Sequence, residues 1–89
     1  MSEIWQVYIL RCGDGTYYTG IAKDLSHRVE QHTQGKGAKY TRGRGPLTLM
    51  YTEVALNRSS ALARERAIKQ LSRQQKENLI ERGCFFVGS

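Results

Sequence analysis

The stretch QVYILRCGDGTYYTGIAKDLSHRVEQH, Gln6 to His32, decides how this chain reads. Two tyrosine-bearing apolar runs, Val7-Tyr8-Ile9-Leu10 and Tyr17-Tyr18-Thr19-Gly20-Ile21, flank Gly13-Asp14-Gly15. A turn of that kind needs φ > 0, which glycine supplies without steric cost, so the two runs read as arms of a β-hairpin. Side chains alternate along a strand, which separates Tyr8 and Leu10 from Val7 and Ile9. Tyr17 and Tyr18 must likewise point to opposite faces, so at most one of them shares a site with Tyr8. Strands over Ile4–Arg11 and Thr16–Ala22 are expected.

A basic amphipathic segment follows at once. Asp24 is placed to cap a helix from Leu25 to Gln34, its carboxylate accepting an orphan backbone N–H, and Gly35 stops it. At about 100° per residue, Leu25 and Val29 form the buried stripe. Arg28 and His32 are i,i+4 neighbours on one flank of that stripe, which puts a guanidinium and an imidazole on the same edge. His27 and Glu30 fall on other sides.

Outward from this core stretch, Gly35 to Pro46 is the one glycine-rich segment, GKGAKYTRGRGP. Lys36, Lys39, Arg42 and Arg44 are interleaved there with Tyr40, a combination suited to a sugar–phosphate strand or to a plain solvated loop. The Walker order Gly-x-x-x-x-Gly-Lys-Ser/Thr is missing, so ATP binding is not expected. Leu47–Leu56 reads as a third strand. Asn57, Ser59 and Ser60 offer caps for a helix over about 59–70, and Ser72-Arg73-Gln74-Gln75 has capping-box spacing for a third helix ending near Gly83. Leu79 and Ile80 are expected to dock that helix. The tail at Phe85-Phe86-Val87 is β-prone. The order β-β-α-β-α-α predicts a single α+β domain over residues 1–89, with helices packed on a small three-stranded antiparallel sheet.

Composition narrows the partner. Fourteen Lys+Arg stand against 8 Asp+Glu, giving net +6 in 89 residues. Such a balance suits a polyanion, because neutralising phosphates releases counterions. No apolar run approaches the roughly 20 residues that span a bilayer. The start, Met1-Ser2-Glu3-Ile4-Trp5, lacks the pattern of a signal peptide, so a cytoplasmic location is expected. Cys12 and Cys84 lie far apart and offer neither a disulfide framework nor metal-ligand spacing.

The residues singled out above also carry a resemblance. Gln6-Val7-Tyr8 resembles the first signature of the GIY-YIG nuclease superfamily, and Tyr18-Thr19-Gly20 resembles the second. Ala22-Lys23-Asp24-Leu25, Arg28 and His32 are similar to the helix that carries the family's functional arginine. Ala61-Leu62-Ala63-Arg64-Glu65 resembles the segment that supplies its metal-binding glutamate. The length and the Gly-Lys-Gly-Ala-Lys-Tyr-Thr-Arg-Gly-Arg stretch look like the small stand-alone bacterial branch.

The resemblance implies a nucleic-acid phosphodiesterase, an endonuclease most readily acting on DNA, with Mg²⁺ or Mn²⁺ held by Glu65. It implies Arg28 as a clamp on the phosphoryl oxygens and Tyr8 or Tyr18 as the group that activates water, His32 sharing proton or hydrogen-bond duties. Lys23 could contact phosphate. On the residues alone, Glu65 reads equally as a partly exposed carboxylate paired with Arg66 or Lys69. A phenol of unperturbed pKa about 10 is a poor base near pH 7. It needs a nearby cation to favour phenolate.

Three positions depart from the family pattern. Gln6 stands for Gly, Thr19 for Ile, and Ile21 where some relatives have a lysine. The last departure keeps a rival open, a noncatalytic DNA- or RNA-binding module on the same fold. A protein-interaction domain with incidental charge is a third reading. DNA repair, recombination and RNA processing are all compatible settings.

Overall fold

In the computed structural model, residues 4–36 and 41–83 are described. The tail at Phe85–Val87, Cys84, and the loop residues Lys39 and Tyr40 lie outside them. The elements are β1 (Trp5–Arg11), β2 (Tyr17–Ala22), α1 (Leu25–Thr33), β3 (Thr48–Ala55), α2 (Arg58–Lys69) and α3 (Arg73–Gly83). The expected β-β-α-β-α-α order is therefore the observed one, with boundaries one residue in or out.

The first strand runs through the middle of a three-stranded antiparallel sheet, ordered β2-β1-β3. Val7, Tyr8, Ile9 and Leu10 are all at most 1 % exposed, which only a strand covered on both faces achieves. Their alternation sorts the core. Val7 and Ile9 pack with Tyr51, Ala55, Ala61 and Ile68, against which Leu71, Leu79 and Ile80 also dock. Tyr8 and Leu10 pack on the other face with Ala22, and with Leu25 and Val29 of α1. Each fully buried aliphatic side chain contributes about 1.5–3 kcal/mol of transfer free energy. The register with β3 shifts between Ile9, which faces Tyr51, and Leu10, which faces Leu49, a bulge in the edge strand.

Local chemistry sets the connections. In the hairpin turn, Gly15 takes φ +88° and its N–H donates to Cys12 O at 2.9 Å. The Asp14 carboxylate accepts from the Thr16 backbone and hydroxyl, at 3.1 and 2.6 Å. Asp24 caps α1 by accepting from His27 N at 3.1 Å, and Gly35, at φ +80°, ends it. Asn57 caps α2 through Ser60 N. The capping box of α3 is reciprocal: Gln75 N donates to Ser72 Oγ and Ser72 N to Gln75 Oε1.

Gln6 sits within the sheet, opposite Ala22 and Val54, and accepts from the Thr52 hydroxyl at 3.0 Å. The glutamine in place of glycine is thus absorbed by sheet pairing. No described helix is long and apolar enough to cross a membrane.

A candidate active site at the edge of the sheet

Because β2 is an edge strand, α1 on one face and α2 on the other can approach each other around it. A cavity of about 370 Å³ lies there, lined by Tyr8, Tyr18, Gly20, Ile21, Arg28, His32, Arg58, Leu62 and Glu65. All five residues expected to do chemistry meet in it. They come from β1, β2, α1 and α2.

The phenol of Tyr8 lies 2.8 Å from His32 Nε2, and His32 Nδ1 lies 2.9 Å from Thr41 Oγ1. All three residues are at most 2 % exposed. The ring of Tyr18 lies 5.2 Å from that of His32 and 6.3 Å from that of Tyr8, centroid to centroid. Tyr17 points to the opposite face, as alternation requires, where its hydroxyl donates to Glu77.

Gly20 makes the cluster possible. A Cβ built there would stand 2.6 Å from the Tyr8 hydroxyl oxygen and 2.7 Å from Tyr8 Cζ. A side chain at this position would occupy the space the phenol uses.

Electrostatics divide the site. Burial pushes the Tyr8 phenol well above its usual value, Tyr18 and Glu65 push it further, and Arg28 pulls it back only in part. Tyr18 is raised chiefly by burial as well. The expectation that a neighbouring cation would favour phenolate is therefore met only in sign: desolvation outweighs Arg28. Burial and Arg28 both act on His32 in the other direction, holding its pKa below the usual imidazole value. At neutral pH the ring is uncharged.

Glu65 is 19 % exposed and pairs with Lys69 at 3.3 Å. It is thus a partly exposed carboxylate paired with Lys69, one of the two partners expected from the residues alone, and it also lines the cavity. Among the described residues no group of three His, Cys, Asp or Glu side chains gathers to hold a metal. One carboxylate beside an open, cationic cavity still fits Mg²⁺ or Mn²⁺. Mg²⁺ keeps several waters and often takes only one or two carboxylates plus substrate phosphates.

Arg58, at the first turn of α2, was missed by the sequence reading. Its guanidinium lies 6.0 Å from the Trp5 ring centroid and it lines the cavity together with Ile21. The signal was a cation two positions before the Ser60 of the cap, on the same helix as Glu65. It restores a positive charge beside the position where Ile21 departs from the family pattern.

The expected strand-binding loop is placed differently. Of the described cations Lys36, Arg42 and Arg44, none lines this cavity, and Lys39 and Tyr40 lie outside the described residues. Arg44 donates to Asp14 at 2.5 Å and its carbonyl accepts from Gly13 N, which ties the loop to the hairpin turn. Within the described part of the loop, Thr41 connects to the site through His32. Lys23 lies next door, in a cavity it shares with Arg28.

The sequence profile of the GIY-YIG catalytic domain matches residues 4–78. The chain belongs to the GIY-YIG family. It is similar to a UPF0213 protein of Halobacterium salinarum, 58 % identical over 74 residues that cover 83 % of this chain and 96 % of that one. A UPF0213 protein of Oceanobacillus iheyensis is 52 % identical over 91 % of this chain and 94 % of its own. Among solved structures, the UPF0213 protein BH0048 from Bacillus halodurans superposes with a TM-score of 0.58 at 44 % identity, covering 93 % of this chain and 89 % of that one. A protein from E. faecalis gives 0.60 at 37 %, over 91 % and 84 %. These relatives share the GIY-YIG fold found here, and the family assignment points to nuclease chemistry.

Proposed function

We propose that this GIY-YIG domain hydrolyses phosphodiester bonds in nucleic acid in a metal-dependent reaction, with DNA as the substrate to test first. One observation carries the reading: Tyr8, Tyr18, Arg28, His32 and Glu65, from four elements, line one open cavity.

The residues divide the work. A phosphate seated against Arg28 and Arg58 has its developing negative charge stabilised by two guanidiniums. Among the described residues neither has a carboxylate partner that would compensate it. Glu65 would hold Mg²⁺ or Mn²⁺, which would supply polarisation of the phosphate and stabilisation of the leaving oxygen. The attacking water gives its proton to the Tyr8 oxygen while the Tyr8 proton moves to His32 Nε2 across the 2.8 Å contact. In the tautomer that suits this transfer, Nδ1 carries the ring hydrogen and donates to Thr41. A phenol held protonated by burial is then an asset, since it relays a proton without existing as free phenolate. His32, kept neutral by burial and Arg28, is the eventual acceptor.

The test is cleavage of labelled single-stranded, duplex and branched DNA, and of RNA, with Mg²⁺ or Mn²⁺ against EDTA. Wild type, Arg28→Ala and Glu65→Ala are run together. Metal-dependent products from wild type alone support the proposal and identify the substrate. Binding without products on every substrate replaces it with the noncatalytic module.

A further inference from the structure

The catalytic cavity is not isolated. A second cavity of about 240 Å³ shares Arg28 with it and is lined also by Trp5, Lys23, Asp24 and His27. A third, of about 300 Å³, shares Tyr18 with it and is lined also by Tyr17, Lys69 and Lys76. Each outer cavity adjoins the central one at a shared lining residue, Arg28 on one side and Tyr18 on the other.

Charge along the series is one-sided. Five cations, Lys23, Arg28, Arg58, Lys69 and Lys76, line it against two carboxylates. Of the carboxylates, Asp24 caps α1 and Glu65 is paired with Lys69. Rings hold some of these cations in place. Lys23 Nζ lies 5.8 Å and the Arg58 guanidinium 6.0 Å from the Trp5 ring centroid. Beyond the other end, Arg73 lies over Tyr17 at 5.0 Å. Cations spaced along a groove with aromatic rings between them suit a single nucleic-acid strand. The cations track the backbone and the rings offer faces to bases.

We infer that the three cavities form a strand-binding trough for consecutive nucleotides, the central one holding the scissile phosphate and the outer two its neighbours. The occupant is a single polynucleotide strand. The inference rests on the proposed function for the role of the central cavity, but strand binding can be measured without cleavage. It extends the role expected of Lys23 to cations of α1, α2 and α3, beside the Gly35–Pro46 loop for which strand binding is also expected.

Trp5 is the sole tryptophan of the chain, so intrinsic fluorescence reports on one end of the trough. The experiment titrates wild type with single-stranded oligothymidylates of increasing length in EDTA, at several salt concentrations, following Trp5 emission. Lys23→Ala, Lys76→Ala, the double variant, Lys36→Ala with Arg42→Ala, and an Arg82→Ala control are compared, each checked for unchanged thermal unfolding.

The expected result is a shift in Trp5 emission and a log K against log salt slope that flattens by ~0.7 for each trough lysine removed. The double variant then flattens by ~1.4, while the loop variant and Arg82→Ala keep the wild-type slope. A wild-type slope in the double variant with a flattened slope in the loop variant overturns the trough and returns the strand to the loop. Absence of any strand binding by wild type overturns both the trough and the nucleic-acid reading. Trough binding without cleavage in Mg²⁺ or Mn²⁺ supports the trough and defeats turnover. Cleavage that is indifferent to both trough lysines, with an unchanged slope, defeats the trough alone.

Discussion

Gly20→Ala is the substitution that most directly tests how the site is built. The new Cβ would stand 2.6 Å from the Tyr8 hydroxyl oxygen, about 0.8 Å short of the 3.4 Å at which ordinary contact begins. Tyr18 Cε2 at 3.1 Å blocks relief on another side. If the phenol gives way, a displacement of that size is large enough to spoil the geometry of its 2.8 Å contact with His32. If the backbone gives way, the Tyr8↔Gly20 pairing of the central strand is strained. Either route is overpacking of a dense core, which costs ~1–3 kcal/mol. For a domain of this size each kcal/mol lowers Tm by about 4–8 °C.

Thermal unfolding followed by circular dichroism measures the cost, and the ¹⁵N resonances of the His32 ring report the hydrogen bond. Gly15→Ala is the matched control: its φ of +88° strains any side chain, but nothing lies within 4 Å. It should lower Tm while leaving the His32 resonances in place. Gly20→Ala should lower Tm, shift those resonances and reduce cleavage together. A Gly20→Ala protein with wild-type Tm and wild-type His32 resonances would refute the account of Gly20 as the space that Tyr8 occupies.

Other outcomes follow from the same geometry. Glu65→Gln should abolish metal-dependent cleavage while strand binding persists, and an ultraviolet titration should show the raised phenols moving down, because Glu65 adds to the rise of both Tyr8 and Tyr18. Its ion pair with Lys69 is an i,i+4 pair worth roughly 0.2–0.5 kcal/mol, so unfolding should barely change. Arg28→Ala should lower cleavage by ~10²–10³, the loss typical of one oxyanion donor. In an NMR titration the same variant should bring the His32 pKa up toward the usual imidazole value, since Arg28 is one of the two causes holding it down. With its folded pKa below its unfolded one, His32 contributes stability that is intact above about pH 6.5 and declines as pH falls through that window. A His32→Gln variant that shows the wild-type decline there would count against this. Asp14, held to about 2 by Thr16 and then Arg44, acts in a lower window. Its contribution is present above its unfolded value near 3.8 and is lost as pH falls toward 2, so Asp14→Ala should flatten the unfolding curve only there.

The parts of this molecule that local chemistry dictates were legible. Strand alternation allowed only one of Tyr17 and Tyr18 to share a site with Tyr8; the resemblance pointed to Tyr18, and that is the one beside Tyr8. Asp24, Asn57 and the Ser72–Gln75 box marked the helix starts because each satisfies a backbone donor that has no intrahelical partner. The i,i+4 spacing of Arg28 and His32 put them on one edge of α1. Contacts distant in sequence were harder. Nothing in the sequence shows that Thr41 reaches His32, that Arg44 pairs with Asp14 instead of lining the cavity, or that Trp5 holds Lys23 and Arg58. His32 is the one residue of α1 that is fully buried, although helical periodicity favoured Leu25 and Val29 for that role. A polar ring can take the deepest place because Tyr8 and Thr41 satisfy both of its nitrogens.

That burial bears on which group accepts the proton from water. A tyrosine exposed beside a guanidinium would be favoured as phenolate, and no histidine would be needed. Here the 1 % exposure of Tyr8 makes desolvation the largest influence, so the phenol resists ionisation even with Arg28 nearby. The same burial, and the same Arg28, make the adjacent imidazole reluctant to be protonated at rest. The pair is therefore set with a proton on oxygen and an open site on nitrogen 2.8 Å away. Arg28 biases both partners toward this resting state of His32 and toward ionisation of Tyr8, while Glu65 opposes the latter. Compensating the Glu65 charge removes that opposition. A cation held at Glu65 would act on both partners as Arg28 does, easing loss of the Tyr8 proton while also opposing the charged form of His32, so its two effects on the transfer pull against each other.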